Sequence, residues 1–191
     1  MIDVRTVSPR STSTVRVIGR WMTSFAGFPL GGLAAKVIAG PIDATTAALI
    51  GGAISGAVLG AAQSWGMGRG GPATRIWVAA TALGFALGLT IGATVVDFRT
   101  DVTSLVVQGA ICGAAVGAVQ ALALGQRAGR LAVLWPLALA ALWALGWAIT
   151  TVAGIEVDEQ FTVFGASGAI TVTAATAALP FAIRRHSRSA S

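Results

Sequence analysis

Two glutamines and one threonine occupy matching places in apolar segments of this chain, and their spacing could build a polar site. Gln63 and Gln120 lie 57 residues apart, and Thr176 follows 56 residues later. At 100° per residue, each falls within the stripe of small residues on its own helix. A ring of these side chains could bind a polar head group, line a constriction or lock helices together. We favour a plain structural role instead, in which each amide hydrogen-bonds to a neighbouring helix at the membrane boundary, typically for about 0.6 kcal/mol.

A fourth polar residue, Gln108, lies one helical turn from the single cysteine, Cys112. Both residues fall off the stripe of small residues, so Gln108 is a separate candidate for an interhelical or ligand contact. No apolar segment carries a carboxylate, an arginine or a histidine near its centre. Such residues mark proton relays and ion pathways in membranes, so the sequence does not favour an ion-coupled pump.

The residues that catalysis or metal binding would need are missing or poorly placed. His186 is the only histidine and lies in a basic tail, so the chain offers no zinc-binding set and no base for a serine or cysteine nucleophile. Asp97 and Asp101 flank Arg99 in a short loop, which is more typical of a solvated turn than of a paired acid site. We therefore predict a protein that is not an enzyme and has no catalytic residues, metal or cofactor.

The composition indicates a membrane protein. Hydrophobic residues make up 55% of the 191 residues and charged residues 10%, and the mean hydropathy is +0.79, values that depart strongly from those of soluble domains. Apolar runs of 21 to 23 residues are long enough to cross about 30 Å of hydrocarbon, although Arg20, Pro29 and Lys36 interrupt the first one. The sequence predicts an all-α polytopic bundle with six spans at about 18–39, 42–63, 76–96, 102–124, 131–153 and 161–183, between a basic N-terminal segment, 1–17, and a basic tail, 184–191.

The charges are divided between the two ends of the predicted spans. Eleven of the thirteen basic residues fall on one side, and six of the seven acids fall on the other. Because short cytoplasmic loops collect Lys and Arg, we expect both termini in the cytoplasm and the protein in the cell (plasma or inner) membrane. An anionic-lipid site is the functional alternative to plain topology setting for the basic side. The expected partners are the lipid bilayer and a membrane protein or a second copy of the chain. Nucleic acid is not an expected partner.

Three copies of a unit of about 57 residues organise the chain. The clearest pair is 52–63 and 109–120, with eight of twelve positions identical, and a degraded third copy begins at Gly165. Each copy predicts an outward helix that starts with a basic residue and a tryptophan, an acidic turn, and a helix that returns. Because all copies insert in the same sense, we expect three parallel two-helix repeats around a pseudo-threefold axis.

Small residues recur at four-residue spacing along the predicted helices, which permits the close backbone approach that helix association in lipid requires. The tryptophans that begin the outward helices, Trp21, Trp77 and Trp135, are interpreted as interfacial anchors. The glycines predicted to pack helices are Gly52, Gly56, Gly60, Gly84, Gly88, Gly92, Gly109, Gly113 and Gly117.

The run Gly-x3-Gly-x3-Gly-x2-Gln, followed by Trp65 in its first clear copy, resembles that of uncharacterised bacterial multi-span membrane proteins with repeated glycine-zipper helical hairpins. The chain departs from this pattern at Leu122 and in the third copy, which lacks both the glutamine and the tryptophan. The resemblance covers the spans and implies a membrane helical bundle. We expect a compact glycine-packed scaffold or accessory subunit of a membrane complex; the alternative is transport of small solutes or lipids through the pseudo-threefold centre.

Overall fold

A computed structural model describes residues 9–154 and 164–189, and this part of the chain is helical, without strands. The acidic turn predicted at 154–160 and the predicted start of the sixth span lie largely outside the described residues. Three short 3-10 segments join or extend the helices at Thr23–Ala26, Gly68–Gly70 and Gly125–Ala128. The helices are α1 Pro9–Met22, α2 Gly27–Ala39, α3 Thr45–Met67, α4 Thr74–Val95, α5 Val102–Leu124, α6 Arg130–Val152, α7 Ala166–Ala175 and α8 Ala178–Ser189.

Six helical segments are long and apolar enough to cross a membrane, which confirms a multi-pass, all-α class. Three predicted spans agree with α4, α5 and α6 to within two residues at each end, whereas the predicted second span ends four residues before α3 does. Helix also extends into both predicted basic segments, at Pro9 and as far as Ser189. The six segments are Thr14–Ala39, Thr45–Gly70, Thr74–Val95, Val102–Leu124, Arg130–Val152 and Ala166–Arg184.

Proline interrupts the first and the last of these segments. In the first, Pro29 follows the 3-10 segment Thr23–Ala26 that separates α1 from α2. In the last, Pro180 follows a turn at Thr176 and Ala177 that separates α7 from α8. Proline has no N–H, and its ring collides with the carbonyl group four residues earlier. For Pro29 and Pro180 those carbonyls belong to Phe25 and Thr176, where regular helix is lost.

Each helix from α2 to α6 packs mainly on the next helix along the chain, and α7 returns to contact α1 and α2. The glycine stripes lie at these contacts, and all nine predicted packing glycines are buried. A methyl group placed on Gly56 would come within 2.6 Å of the Thr81 carbonyl oxygen, and one on Gly88 within 2.8 Å of the Cys112 Cα. Backbone therefore lies directly against backbone where these helices cross.

The two ends of the bundle differ in charge among the described residues. Helix α8 packs against the turns Gly68–Gly70 and Gly125–Ala128, which places the C-terminal helix at the same end as those loops. We call this the basic end; its arginines with described side chains are Arg16, Arg20, Arg69, Arg75, Arg130 and Arg184. The opposite end carries Asp43, Asp97 and Asp101, together with the basic residues Lys36 and Arg99.

Asp101 caps the N-terminus of α5. Its carboxylate accepts hydrogen bonds from the Ser104 hydroxyl and, at 3.1 Å, from the Ser104 backbone N–H. These bonds hold the pKa of the Asp101 carboxyl below its ordinary value. The carboxylate of Asp97 is separate, on an exposed residue whose φ of 53° ends the preceding helix. This arrangement is that of a capped turn.

The close contact at Gly56 leads to a stability prediction. Gly56→Ala should lower the free energy of unfolding by about 1–3 kcal/mol, the usual cost of overpacking, because backbone atoms of α4 have to move. Gly19→Ala is the matched control, since no atom lies within 4 Å of a methyl group there and alanine favours helix. Unfolding of both variants in mild detergent by added sodium dodecyl sulfate measures the difference. Equal midpoints for the two variants would contradict close packing of α3 on α4.

The Asp101 cap leads to a pH prediction. Because the folded-state pKa lies below the unfolded value of about 3.9, the cap stabilises the fold fully above pH 4 to 5 and loses this contribution as the pH falls through the folded pKa. Ser104→Ala removes the side-chain hydrogen bond, which lowers the Asp101 pKa more than the backbone bond does. The loss of stability at acid pH should therefore be smaller in this variant. Asp101→Asn, which still caps but does not titrate, is the control. Unfolding midpoints between pH 6 and pH 3 test this, and an unchanged acid loss in Ser104→Ala would refute it.

Candidate functional site

The structure brings Gln63 and Gln120 into direct contact near the basic end. The Nε2 of Gln120 donates to Oε1 of Gln63 at 3.2 Å, which joins α5 to α3. A second bond from the same Nε2 reaches the Thr81 hydroxyl on α4 at 2.9 Å. Trp77 and Trp135 complete this group, which we call the amide cluster: Gln63, Trp77, Thr81, Gln120 and Trp135.

Two indole groups fix the orientation of the two amides. Trp135 Nε1 donates to Oε1 of Gln120 at 2.8 Å, and Trp77 Nε1 donates to Oε1 of Gln63 at 3.2 Å. Because an indole N–H can only donate, the atom facing it must be the amide oxygen. The Thr81 hydroxyl donates its proton to the Trp77 carbonyl oxygen at 2.8 Å, so the hydroxyl oxygen accepts from Gln120. The buried amide of Gln120 thus has all of its donors and its acceptor engaged.

The glycine stripes bring the members of the amide cluster within reach. A methyl group on Gly60 would lie 3.0 Å from Val78 Cα, so α3 and α4 are close where Gln63 meets Trp77. Likewise, a methyl group on Gly117 would lie 2.6 Å from Pro136 Cα, beside Trp135. The packing motif and the polar residue that follows it therefore act together in each of these two helices.

Thr176, the third predicted member, does not join the amide cluster. Its hydroxyl donates to carbonyl oxygens of its own helix, at 2.8 Å to Val172 and 3.1 Å to Thr173. Gln108 is buried elsewhere, with its side chain against Gly92 on α4. The structure thus brings together two of the four candidate polar residues.

A backbone carbonyl takes the place of the missing third amide. Trp21 Nε1 donates to the Thr173 carbonyl oxygen at 2.9 Å. In a regular helix the N–H of Ala177 would occupy that carbonyl, but at the break after α7 it bonds to Ala174 instead. The break associated with Pro180 therefore frees an acceptor for Trp21. In the sequence, the signal for this change of acceptor was the replacement of glutamine by Thr176 together with the nearby Pro180.

Trp21, Trp77 and Trp135 are each at most 3% exposed. The interpretation of these residues as surface anchors was wrong, because each turns its ring into the bundle and uses its N–H for a helix contact. A tryptophan at a membrane boundary can satisfy its N–H in water or in protein, and its sequence position does not distinguish the two. Trp65 is the exception, with 56% of its side chain exposed.

Large aromatic side chains fill the interior further along the bundle. Phe28, Phe85 and Trp143, from α2, α4 and α6, are all buried and recur at spacings of 57 and 58 residues. The ring centroids of Trp143 lie 5.0 Å from Phe85 and 6.1 Å from Phe28. Phe164 packs between Phe28 and Trp143, at 5.1 and 5.5 Å. This aromatic core (Phe28, Phe85, Trp143 and Phe164) went unrecognised in the sequence, although its spacing was visible there.

No protein-family model matches this chain, and no curated protein or solved structure shows significant similarity to it. The resemblance to glycine-zipper hairpin proteins stays a prediction.

The hydrogen bonds of Gln120 lead to a second stability prediction. Gln120→Leu leaves the Trp135 N–H without its acceptor inside the bundle, and should lower the free energy of unfolding by about 1–3 kcal/mol. Thr176→Val is the control, since it removes only bonds within one helix and should cost well under that, about 0.6 kcal/mol or less. Detergent unfolding monitored by tryptophan emission measures both. A larger loss for Thr176→Val would contradict the assignment of the interhelical contacts.

Proposed function

We propose that this protein is a compact integral membrane scaffold or accessory subunit of a membrane complex, built from three parallel two-helix repeats. The observation that carries the proposal is the aromatic core. Phe28, Phe85 and Trp143 come from the three outward helices and meet where a central pathway would run. A pathway along that axis would require these buried rings to move apart.

The tryptophan hydrogen bonds support the three-repeat arrangement. Trp77 donates to Gln63, and Trp135 donates to Gln120, so the outward helix of each later copy bonds to the returning helix of the copy before it. Trp21, in the first copy, donates to Thr173 in the third. Three equivalent contacts thus run around the bundle in one direction and close it. Such closure is what a pseudo-threefold axis along the membrane normal would require.

The outer surface supports a lipid or protein partner for the bundle. Long aliphatic side chains are exposed along several helices, among them Leu33, Leu87, Leu122, Leu137 and Val152, which are between 43% and 86% exposed. In a bilayer such a surface faces acyl chains or another membrane protein. We assign the partner role to this surface because the small residues already lie inside, against neighbouring helices.

The filled interior counts against the transport alternative. Both amide N–H groups and the amide oxygen of Gln120 are engaged inside the amide cluster, and the aromatic core lies beyond it. Neither group offers the free polar surface that a permeating solute would need to replace its water. The proposal places both termini in the cytoplasm, on the ground that most of the described arginines lie at the basic end, with Arg99 at the opposite end.

Purification from the native host in mild detergent, with identification of co-purifying proteins, tests the scaffold role. We expect a membrane-protein partner in fixed stoichiometry. Two surface variants that introduce a negative charge, Leu137→Glu and Leu87→Glu, should each be compared with the wild type, since a partner on one face is lost from one variant only. A stable monomer without any partner would contradict the proposal.

Flux measurements on proteoliposomes test the alternative. Light scattering after an osmotic step with glycerol, urea or potassium chloride should match that of empty liposomes, with an added ionophore or pore former as the positive control. A lipid carrying a head-group fluorophore and reduced from outside by dithionite tests lipid movement between leaflets. Flux above the empty-liposome rate in any of these assays would overturn the scaffold proposal.

A further inference from the structure

Trp65 is the only exposed residue among the six tryptophans. Its side chain is 56% exposed, whereas the other five are at most 3% exposed. It lies in the last turn of α3, within the membrane-length segment Thr45–Gly70 and next to the basic end. An exposed tryptophan at this depth is amphipathic in the way that a membrane interface favours.

Arg20 lies over the ring of Trp65. The guanidinium carbon is 4.8 Å from the ring centroid, within the range of a cation–π contact. The guanidinium also lies close to Gly68, where a methyl group would come within 3.2 Å of Nη1. Gly68 has a φ of +70° and ends α3, so the positive group also lies at the negative end of that helix dipole.

These contacts position the guanidinium without using its hydrogen-bond donors. Arginine has five N–H donors in a planar fork, yet within residues 9–154 and 164–189 no oxygen accepts a hydrogen bond from the Arg20 side chain and no carboxylate pairs with it. Stacking holds the fork in place, while its donors remain available to an acceptor from outside the protein. A phosphate group fits such a fork, because its oxygens accept two parallel bonds.

The arrangement is specific to the first copy of the repeat. The residue 57 positions after Trp65 is Leu122, which is 82% exposed and cannot stack on an arginine. The fold of the hairpin therefore does not depend on an exposed tryptophan at this place. Arg69, in the turn that follows α3, adds a second positive charge on the same side.

We propose that Arg20 and Trp65 form a binding site for the phosphate of an anionic phospholipid. Lipid is the occupant because the ring lies on a membrane-length helix with an apolar exposed surface. An anionic head group is favoured because the described side chains of the basic end include six arginines and no carboxylate, and each such charge adds to attraction by an anionic leaflet. This inference rests on the membrane setting of the helices and not on the scaffold role.

Quenching by brominated lipids tests the site, because Trp65 is the tryptophan that lipid can reach. The full-length protein is reconstituted in phosphatidylcholine with increasing fractions of brominated phosphatidylglycerol, and in the reverse mixture with brominated phosphatidylcholine. We expect phosphatidylglycerol to be preferred at Trp65 by about fivefold, the effect of one charge near an anionic surface. Arg20→Gln should reduce the preference to about one, whereas Arg130→Gln, an equal charge loss at the same end, should leave it close to the wild-type value.

Equal quenching by the two lipids, or an unchanged preference in Arg20→Gln, would overturn the site. An equal loss of preference in Arg130→Gln would also overturn it, because the effect would then be one of overall charge. If Arg20→Gln does not elute as a single folded species, Arg20→Lys replaces it and should show a preference below that of the wild type. Native mass spectrometry of Trp65→Leu, which carries the residue of the second copy, should show fewer retained phosphatidylglycerol molecules than the wild type; equal retention would contradict the role of the ring.

Discussion

Close approach of helix backbones is the constraint on which the rest of this structure depends. In lipid, helices gain nothing from hiding apolar surface from water, so they associate through van der Waals contact and hydrogen bonds. At Gly56 and Gly117 a methyl group would lie 2.6 Å from atoms of the next helix, which means that any larger residue would separate the pair. Separation would also break the hydrogen bonds between Gln63 and Trp77 and between Gln120 and Trp135, because a glutamine side chain is too short to reach across the wider gap between the helices. Packing and polar contacts are therefore one system in these helices.

The third copy reaches an equivalent contact by different chemistry. Where the first two copies supply an amide oxygen to a tryptophan, the third supplies a main-chain carbonyl that the helix break at Thr176 has released. The N–H of Trp21 has an acceptor in either case, which is what a buried indole needs. The break before Pro180 leaves the Thr173 carbonyl without its usual backbone donor, and it accepts from Trp21 and from the Thr176 hydroxyl instead. A degraded repeat in sequence need not be a degraded contact in structure.

Much of the fold could be predicted because it depends on composition and periodicity. The membrane-length segments follow from apolar runs, and the contact between Gln63 and Gln120 follows from equal spacing on equivalent stripes. The breaks in the first and last spans lie just before Pro29 and Pro180; the sequence marked Pro29 as an interruption of the first span, but the break before Pro180 was not predicted. The orientation of the tryptophans was also out of reach, since Trp65 and Trp77 both lie near a span boundary. One faces outward and the other inward, because of the face each occupies relative to a neighbouring glycine stripe.

The distribution of engaged and available polar groups bears on where this molecule meets other molecules. At the positions that the copies share, hydrogen-bonding groups are used within the bundle: Gln120 uses both amide N–H groups and its amide oxygen, and the indole N–H groups of Trp21, Trp77 and Trp135 all donate to other helices. A ligand at those positions would have to replace bonds that hold the helices together, at a cost of about 1–3 kcal/mol for each buried group left unpaired. Arg20 and Trp65 are under no such restriction, because their stacking leaves the donors of the guanidinium unused by the described residues. Binding of a ligand therefore costs less free energy where the copies differ than where they agree. In this chain the copies differ at Trp65, whose counterpart in the second copy is Leu122.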